Sequence, residues 1–348
     1  MDEKNIYKDI AERTGGDIYI GVVGPVRSGK STFIKRFMDQ LVIPNIQEEY
    51  QRDRAVDELP QSAAGRTIMT TEPKFIPEDA VEINLADNAS FKVRMIDCVG
   101  YIVPSALGYI EEDQPRMVMT PWFDEQIPFN MAAEIGTKKV ITDHSTIGLV
   151  MTTDGSISEI PREEYDEAEE RVIDELKQIN KPFVVLLNSL YPAAQETREL
   201  AKQMQDRYNV PVMPVNCLEL TEEEIRKILA SVLFEFPIKE IAIDMPRWLT
   251  SLEKGHWLRS AMHSVLSDAF SKVERIRDVS DVVKQILDCE YVDNAFVKSF
   301  DLGHGRANVN LGLDRDLFYK VLGEKTNLDI MDEGGLLDAM MELSRIKD

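Results

Sequence analysis

The chain has 348 residues, 43% of them hydrophobic, and this length predicts two domains or one domain with a partial second. Its 40 Lys and Arg against 62 Asp and Glu give a formal net charge of -22 at pH 7, which opposes a general role on nucleic acid or on an anionic bilayer. The N-terminal sequence MDEKNIYKDI has no apolar leader and no apolar run could span a bilayer, so a cytosolic protein without a transmembrane segment is predicted.

Short β-rich runs alternate with amphipathic helical patterns from the start of the chain to about residue 237. The runs are IYIGVVG (18–24), VEINLA (81–86), FKVRMID (91–97), TIGLVMT (146–152), FVVLLN (183–188) and VPVMPVN (210–216). Helical spacing of apolar residues is clear in three places, at residues 33–41, 163–180 and 221–236. Several runs are apolar on both faces, as strands covered by helices must be. The alternation predicts an α/β fold with a doubly wound, mainly parallel sheet.

The pattern changes after Pro237, which ends the last of these helices. Residues 248–275 are predicted to be helical, and FVKSFDLGHGRANVNLGLD (296–314) is typical of strands joined by a Gly-rich turn. A further helical pattern closes the chain without a natural terminus signal. Residues 1–237 and 238–348 are therefore expected to be separate domains, the second a smaller α+β domain in which no pattern indicates chemistry.

The strongest motif is GPVRSGKS, a complete G-x-x-x-x-G-K-[ST] phosphate loop. Its context is the required one, because the strand IYIGVV precedes it and an amphipathic helix follows. Loop amides and the helix N-terminus would bind phosphate, Lys30 would reach the β and γ phosphates, and Ser31 would ligate Mg²⁺. The fold class predicted is thus a P-loop NTPase. The nucleotide-binding residues predicted from the loop are Gly24, Pro25, Val26, Arg27, Ser28, Gly29, Lys30, Ser31 and Thr32.

The segment RMIDCVGY places Asp97 at the end of an apolar strand, and Gly100 completes D-x-x-G. A carboxylate there can hold Mg²⁺ through water, and the glycine amide can contact the γ-phosphate. Tyr101 follows, where many GTPases have the Gln that orients the attacking water. Arg27 and Arg66 are candidates for an arginine finger, although solvated surface arginines are the favoured interpretation. Slow intrinsic turnover is expected, and a neighbouring molecule could complete the catalytic site.

The segment GRTIMTTEP offers Thr67, Thr70 and Thr71 between the first helix and the next strand. A nucleotide switch needs a Thr that closes on the metal ion and the γ-phosphate. Thr70 or Thr71 is predicted to be that sensor, and surface hydroxyls in a loop are the alternative. The catalytic set predicted is Lys30, Thr70, Thr71 and Asp97, and the Mg²⁺ ligands predicted are Ser31, Thr71 and Asp97.

The strand FVVLLN ends at Asn188, where GTPases carry the guanine-reading motif N-K-x-D. Its Asp would accept the two guanine donors, but Tyr191 stands at that position. Each buried donor left unpaired costs roughly 1 to 3 kcal/mol, so two donors remove about 30-fold to about 10⁴-fold of guanine preference. Adenine has no such donors to lose, so ATP is predicted over GTP. Asn188 is expected near the adenine pocket, and holding the phosphate loop by hydrogen bonds is a hypothesis for its role.

Together the loop GPVRSGKS, the Thr pair in RTIMTTEP, DCVG and the degraded LLNSLY resemble the stage IV sporulation protein A family, the cytoskeletal ATPases of the bacterial spore coat. The resemblance covers the whole chain. It implies a GTPase-derived ATPase in the mother-cell cytosol that hydrolyses ATP with Mg²⁺. It also implies self-assembly into a basement layer, peripheral at the outer forespore membrane. The partners it implies are further copies of the chain, a small amphipathic-helix membrane protein and other spore-coat proteins.

Two other functions stay open at the level of sequence. One is a regulatory P-loop GTPase, against which Tyr191 and the acidic balance argue. The other is a nucleotide-binding scaffold without turnover, which Tyr101 in place of the Gln favours. The resemblance also implies a further C-terminal domain that mediates membrane docking. A chain truncated before that domain is therefore expected, and membrane docking by residues 1–348 themselves is not predicted.

Overall fold

A computed structural model describes residues 6–60, 73–85, 89–111, 114–120 and 123–347. The chain divides into two compact units, Met1–Glu235 and Phe236–Asp348. Within the described ranges, no helix combines the length and the apolar character that crossing a membrane requires.

The strands of the first unit form a central sheet and two small hairpins. They are β1 Asp17–Val23, β2 Lys74–Asn84, β3 Ser90–Asp97, β4 Ile110–Glu111, β5 Gln114–Pro115, β6 Met117–Thr120, β7 Phe123–Pro128, β8 Ile147–Thr153, β9 Phe183–Asn188 and β10 Val212–Val215. Among the described residues, six strands form the sheet in the order β10-β9-β8-β1-β3-β2. Neighbours are parallel except β2, which runs antiparallel to β3.

The helices of the first unit cover this sheet. They are α1 Ile6–Thr14, α2 Lys30–Phe37, α3 Glu49–Asp57, α4 Phe129–Lys139, α5 Asp166–Gln178, α6 Gln195–Tyr208 and α7 Glu222–Phe234. Every residue of β8 and of β9 is buried, as strands with helices on both faces require. In the sheet, β1 lies between β3 and β8. The chain passes from β1 to the strands on the β3 side and later to those on the β8 side, so the end of β1 is a topological switch point, where doubly wound sheets bind ligands.

The predicted α/β class with a mainly parallel sheet is confirmed, and a strand lies at each of the six β-rich runs. A capping box begins α7, with Thr221 and Glu224 bonded reciprocally. No sequence pattern predicted the hairpins β4-β5 and β6-β7. The reason is their exposure: all of β7 lies outside the buried core, so no alternation of apolar and polar residues marks it.

The second unit has a small sheet and five helices among the described residues. Its elements are β11 Glu240–Asp244, α8 Arg247–Thr250, α9 Trp257–Phe270, α10 Asp278–Ile286, β12 Val292–Asp301, β13 Arg306–Leu313, α11 Arg315–Thr326 and α12 Glu333–Lys347. The sheet order is β11-β13-β12, with β13 parallel to β11 and antiparallel to β12. Two strands joined by a turn at Gly305 agree with the prediction for 296–314.

Residues 248–275, which the sequence predicts to be helical, contain most of α8 and all of α9, and the chain turns between these two helices. His256 begins the second of these helices, and its Nδ1 atom accepts a hydrogen bond from the Leu258 amide at 3.3 Å. Apolar spacing alone carried the prediction across this break, since the capping role of a histidine has no strong sequence signal.

Candidate nucleotide-binding site

The predicted phosphate loop connects β1 to α2 at the C-terminal edge of the central sheet. Arg27 and Gly29 have positive φ angles of 63° and 96°, so the loop curls back before the helix begins. A Cβ atom at Gly29 would lie 2.2 Å from Nδ2 of Asn188, so only glycine fits there. The buried Ser28 hydroxyl donates to the Pro25 carbonyl oxygen at 2.8 Å and stabilises the curl. Amides at the N-terminus of α2 are thereby offered to an anion.

Lys30 is the first residue of α2, and its side chain is buried against the loop. Its Nζ atom donates to the carbonyl oxygens of Pro25 at 2.7 Å and Gly24 at 3.4 Å. Burial lowers the pKa of Lys30 to about 8, and the Asp97 carboxylate opposes the shift. An ammonium group held by loop carbonyls is well placed to donate to phosphate oxygens as well. Thr32 lies on the first turn of the same helix.

Ser31 and Asp97 are brought into direct contact. The Ser31 hydroxyl donates to Oδ2 of Asp97 at 2.7 Å. The parallel pairing of β3 with β1 sets Asp97 opposite Val22, two residues before the loop. Burial raises the pKa of Asp97, while the Ser31 hydrogen bond and the Lys30 charge oppose that rise. A hydroxyl and a carboxylate side by side form the oxygen donor set that Mg²⁺ prefers, so these residues fit the predicted ion.

The turn after Asp97 lies on the phosphate loop. Gly100 has a φ angle of 93°, and a Cβ atom there would lie 2.4 Å from the Gly24 oxygen and 2.6 Å from Nζ of Lys30. The Tyr101 amide donates to the Gly24 oxygen at 3.2 Å, and the Val26 amide donates to the Tyr101 oxygen at 2.8 Å. The D-x-x-G turn and the loop therefore meet through backbone pairing.

The side chain of Tyr101 is engaged by α5. Its phenol donates a short hydrogen bond to Glu175, and the Arg171 guanidinium lies over its ring at 5.5 Å from the centroid. Burial and then the Glu175 carboxylate raise the pKa of Tyr101 far above its usual value, so the phenol stays protonated. The residue that replaces the water-orienting Gln thus has its hydroxyl occupied.

Asn188 connects the end of β9 to two other segments. Its Nδ2 atom donates to the Ser28 carbonyl oxygen of the phosphate loop at 3.1 Å. Its Oδ1 atom accepts from the Cys217 amide, after β10, at 3.2 Å. The side chain is buried and its amide holds the loop in place, which is the geometry that the hypothesis for Asn188 requires.

Residues 189–191, here called the base loop, follow Asn188 where GTPases read guanine. Ser189 is fully buried, whereas the side chain of Tyr191 is 68% exposed and that of Leu190 is 39% exposed. On the neighbouring strand end, Leu218 is 61% exposed. The surface beside Asn188 thus presents apolar side chains, and no carboxylate occupies the position of the guanine-reading Asp.

The sequence interpretation missed Asp154 and Ser156, which lie beside the base loop. The Ser156 hydroxyl accepts a hydrogen bond from the Leu190 amide at 3.0 Å and donates to Asp154 at 2.6 Å. The available signal was the polar segment TDGS directly after the apolar strand TIGLVMT, since polar side chains at the carboxyl ends of parallel strands gather at the ligand edge.

The structure brings the phosphate loop, Asp97, Gly100 and Asn188 together at one edge of the sheet. The predicted sensors Thr70 and Thr71 lie outside the described residues, and so do Thr67 and Arg66. Of the predicted Mg²⁺ ligands, the described part of the chain therefore contains Ser31 and Asp97 but not Thr71.

A phosphate loop between a central strand and a helix, with a carboxylate of the adjacent parallel strand against its Ser, defines a P-loop NTPase. The model of the ATPase domain of stage IV sporulation protein A matches residues 1–237, and the model of its middle domain matches residues 238–348. The chain belongs to the stage IV sporulation protein A family. The resemblance inferred from the sequence motifs is confirmed.

Three relatives carry the name stage IV sporulation protein A. The chain is 50% identical over 344 residues to that of Clostridioides difficile (strain 630), covering 99% of this chain and 70% of the relative. It is 49% identical to that of Bacillus anthracis and 46% identical to that of Bacillus subtilis (strain 168), each over 347 residues, all of this chain and 70% of the relative. The protein is thus a sporulation protein with an ATPase domain.

Similarity to solved structures is weak. A mutation variant of SsGBP matches with a TM-score of 0.35 and 13% identity, covering 67% of this chain and 65% of that chain. Apo translation elongation factor SelB from Methanococcus maripaludis matches with a TM-score of 0.33 and 13% identity, covering 62% of this chain and 33% of that chain. Neither similarity carries an argument about this protein.

Proposed function

We propose that the first unit binds ATP with Mg²⁺, hydrolyses it slowly to ADP and phosphate, and couples hydrolysis to self-assembly. The observation that carries the proposal is the contact of Ser31 with Asp97 at 2.7 Å beside the buried Lys30. Phosphoryl transfer asks the protein for positioning and charge stabilisation rather than covalent chemistry, and these three side chains provide both.

The chain's own residues have separate tasks in this proposal. The loop amides and Lys30 bind the β and γ phosphates, and Gly100 offers its amide to the γ-phosphate. Ser31 and Asp97 would hold Mg²⁺, which when bound neutralises charge on the phosphates. Thr70 or Thr71 would sense the γ-phosphate.

The preference for ATP over GTP is proposed from the base loop. A guanine bound there would meet Tyr191 instead of a carboxylate, and its two ring donors would lose their partner. At roughly 1 to 3 kcal/mol for each unpaired donor, the preference for guanine falls by about 30-fold or more. Adenine has no such donors, so Tyr191 in place of the Asp does not weaken its binding.

The cellular role proposed is the one that the family resemblance implies. The protein would assemble in the mother-cell cytosol into the basement layer of the spore coat, at the outer forespore membrane. Its partners would be further copies of itself, a small amphipathic-helix membrane protein and other spore-coat proteins. A net charge of -22 supports partners other than nucleic acid.

Phosphate release from ATP tests the enzymatic proposal. We expect Asp97→Asn to lower kcat by about 10²-fold or more, because a metal-bound charge is worth several kcal/mol in the transition state. Lys30→Ala should abolish ATP binding itself, measured with a fluorescent ATP analogue. Lys35→Ala is the matched control, since Lys35 is an exposed lysine on the same helix. Chelation of Mg²⁺ should stop phosphate release, and added Mg²⁺ should restore it.

The outcomes separate the alternatives. Wild-type protein that binds ATP through Lys30 but releases no phosphate at any concentration would be a nucleotide-binding scaffold, for which the occupied phenol of Tyr101 is the supporting observation. Tight, Mg²⁺-dependent binding of GTP over ATP would indicate a regulatory GTPase. Unchanged phosphate release by Asp97→Asn would contradict the proposed site. Sedimentation of wild type and Lys30→Ala with ATP tests the coupling, since only wild type should form larger species.

A further inference from the structure

Asp154 comes directly after β8, the strand between β1 and β9. Its Oδ1 atom accepts from the Ser156 amide at 3.0 Å and from the Ser156 hydroxyl at 2.6 Å. Its Oδ2 atom accepts from the Thr197 hydroxyl, on α6, at 3.2 Å. The Asp154 side chain therefore joins the segment after β8 to α6.

The base loop is held by two serine hydroxyls, one of which is bonded to Asp154. The Leu190 amide donates to the Ser156 hydroxyl at 3.0 Å, and the Tyr191 amide donates to the Ser189 hydroxyl at 2.9 Å. The Leu190 amide is thus linked to Asp154 through a single hydroxyl group, that of Ser156.

Asp154 has several hydrogen-bond donors within the protein. A carboxylate offers about four acceptor sites, and the Ser156 amide, the Ser156 hydroxyl and the Thr197 hydroxyl occupy three of them. Burial raises the pKa of Asp154, but the hydrogen bonds from these residues outweigh it, and the pKa lies below its usual value. The group is therefore ionised at neutral pH, and its hydrogen bonds are charge-assisted.

We propose that Asp154 is a positioning residue for the adenine nucleotide: through Ser156 it fixes the base loop in the conformation that accepts the base. The proposal rests on the proposed function, because it assigns base binding to the loop after Asn188. With no carboxylate at position 191, affinity for the base depends on contact with a preformed surface. A loop that is already ordered loses less entropy when the ligand binds.

Kinetics of Asp154→Asn and Ser156→Ala test the proposal. We expect Asp154→Asn to raise KM for ATP about tenfold and to change kcat by no more than about twofold, because the base binds equally in the ground and transition states. Ser156→Ala should have a smaller effect in the same direction. In the double variant the two effects on KM should be less than additive, since both substitutions break one network.

A ligand-independent measurement separates this proposal from the proposed function. In the nucleotide-free protein, Asp154→Asn should speed hydrogen exchange at the amide of Leu190. This result does not depend on ATP hydrolysis. The matched control is Glu169→Gln, a fully buried carboxylate that accepts from Thr152, Arg162 and Tyr208 and contacts no base-loop residue among its described hydrogen bonds.

Glu169→Gln should lower the unfolding midpoint while leaving exchange in the base loop and KM unchanged. The proposal is overturned if Asp154→Asn behaves like this control, or if it lowers kcat at constant KM. If Asp154→Asn does not fold, Ser156→Ala, which removes the hydroxyl that joins Asp154 to the base loop, must still raise KM for ATP, and an unchanged KM overturns the proposal. Faster hydrogen exchange in Asp154→Asn, together with no ATP hydrolysis by the wild type, would refute the proposed function but not the role of Asp154 in ordering the base loop.

Discussion

The side-chain amide of Asn188 bonds two other segments of the site. It uses its donor on the Ser28 carbonyl and its acceptor on the Cys217 amide, and it is buried. Both partners are backbone groups, so they lose their hydrogen bonds together if the amide is removed. Asn188 therefore fixes the phosphate loop relative to β9 and β10, and does so whichever base is bound.

We predict that Asn188→Ala lowers the free energy of unfolding by about 1 to 3 kcal/mol for each group left unpaired. ATP affinity should fall as well, because the phosphate loop is no longer held. The ratio of ATP to GTP use should stay the same, and a changed ratio would show that Asn188 reads the base. Asn216→Ala is the matched control, since the Asn216 side chain bonds only within its own turn, to Leu218 and Glu219, among its described hydrogen bonds.

The sequence predicted the residues whose type is dictated by local chemistry. Lys30, Ser31 and Asp97 stand in short motifs because phosphate and metal binding need those groups at fixed spacing, and the structure brings them together. Asp154 was not predictable in this way, because its partner Ser156 meets the base loop only after β8 and β9 pair. A network assembled by strand register leaves no motif in one segment.

Tyr101, directly after the D-x-x-G turn that follows β3, links this turn to α5. The backbone of Tyr101 is paired with the phosphate loop, while its phenol is bonded to Glu175 of α5. The side chain of Tyr101 is therefore packed against the helix, with its hydroxyl bonded to Glu175.

We predict that Tyr101→Gln does not accelerate phosphate release, although it restores the water-orienting residue type. It should lower the free energy of unfolding by about 3 to 5 kcal/mol, the order expected for loss of a large buried aromatic side chain. Tyr101→Phe is the control, because it keeps the ring and removes only the hydrogen bond to Glu175. An increase in kcat of about tenfold or more for Tyr101→Gln would contradict this account of the turn.

Among the elements, those with a buried face were predictable from apolar spacing, and those without one were not. The strands of the central sheet are runs of buried residues, as β9 illustrates at all of its positions. The hairpin β6-β7 lies after the D-x-x-G turn with Met117, Met119 and Phe123 exposed, so its sequence does not distinguish a strand from a loop. The register of β2 against β3 shifts between Ile76 and Val81, which no local pattern indicates.

At the scale of the whole molecule, charge opposes association of one copy with another. The formal net charge is -22 at pH 7, so the copies repel one another at low ionic strength. Salt reduces the Debye length from about 10 Å at 0.1 M to about 3 Å at 1 M and screens this repulsion. Self-assembly, if it proceeds through uncharged contacts, is therefore favoured by salt.

We predict that the protein concentration at which ATP produces larger species falls as NaCl is raised from low to moderate ionic strength. Sedimentation with ATP at several salt concentrations measures it, and Lys30→Ala should remain unassembled throughout. Salt that raises the required concentration would instead indicate assembly through ion pairs. Phosphate release per molecule should rise with protein concentration in the same range if a neighbouring copy completes the site.

We infer that this P-loop NTPase keeps the phosphate chemistry, and that Tyr191 in place of an Asp removes selection for guanine. The most direct test is the ratio of kcat/KM for ATP and GTP, measured for wild type and for Tyr191→Asp. We predict a wild-type ratio above about 10 in favour of ATP, and a fall of at least about tenfold in Tyr191→Asp, because the carboxylate again accepts the guanine donors. Equal use of the two nucleotides by wild type, or a ratio that Tyr191→Asp leaves unchanged, would contradict the account.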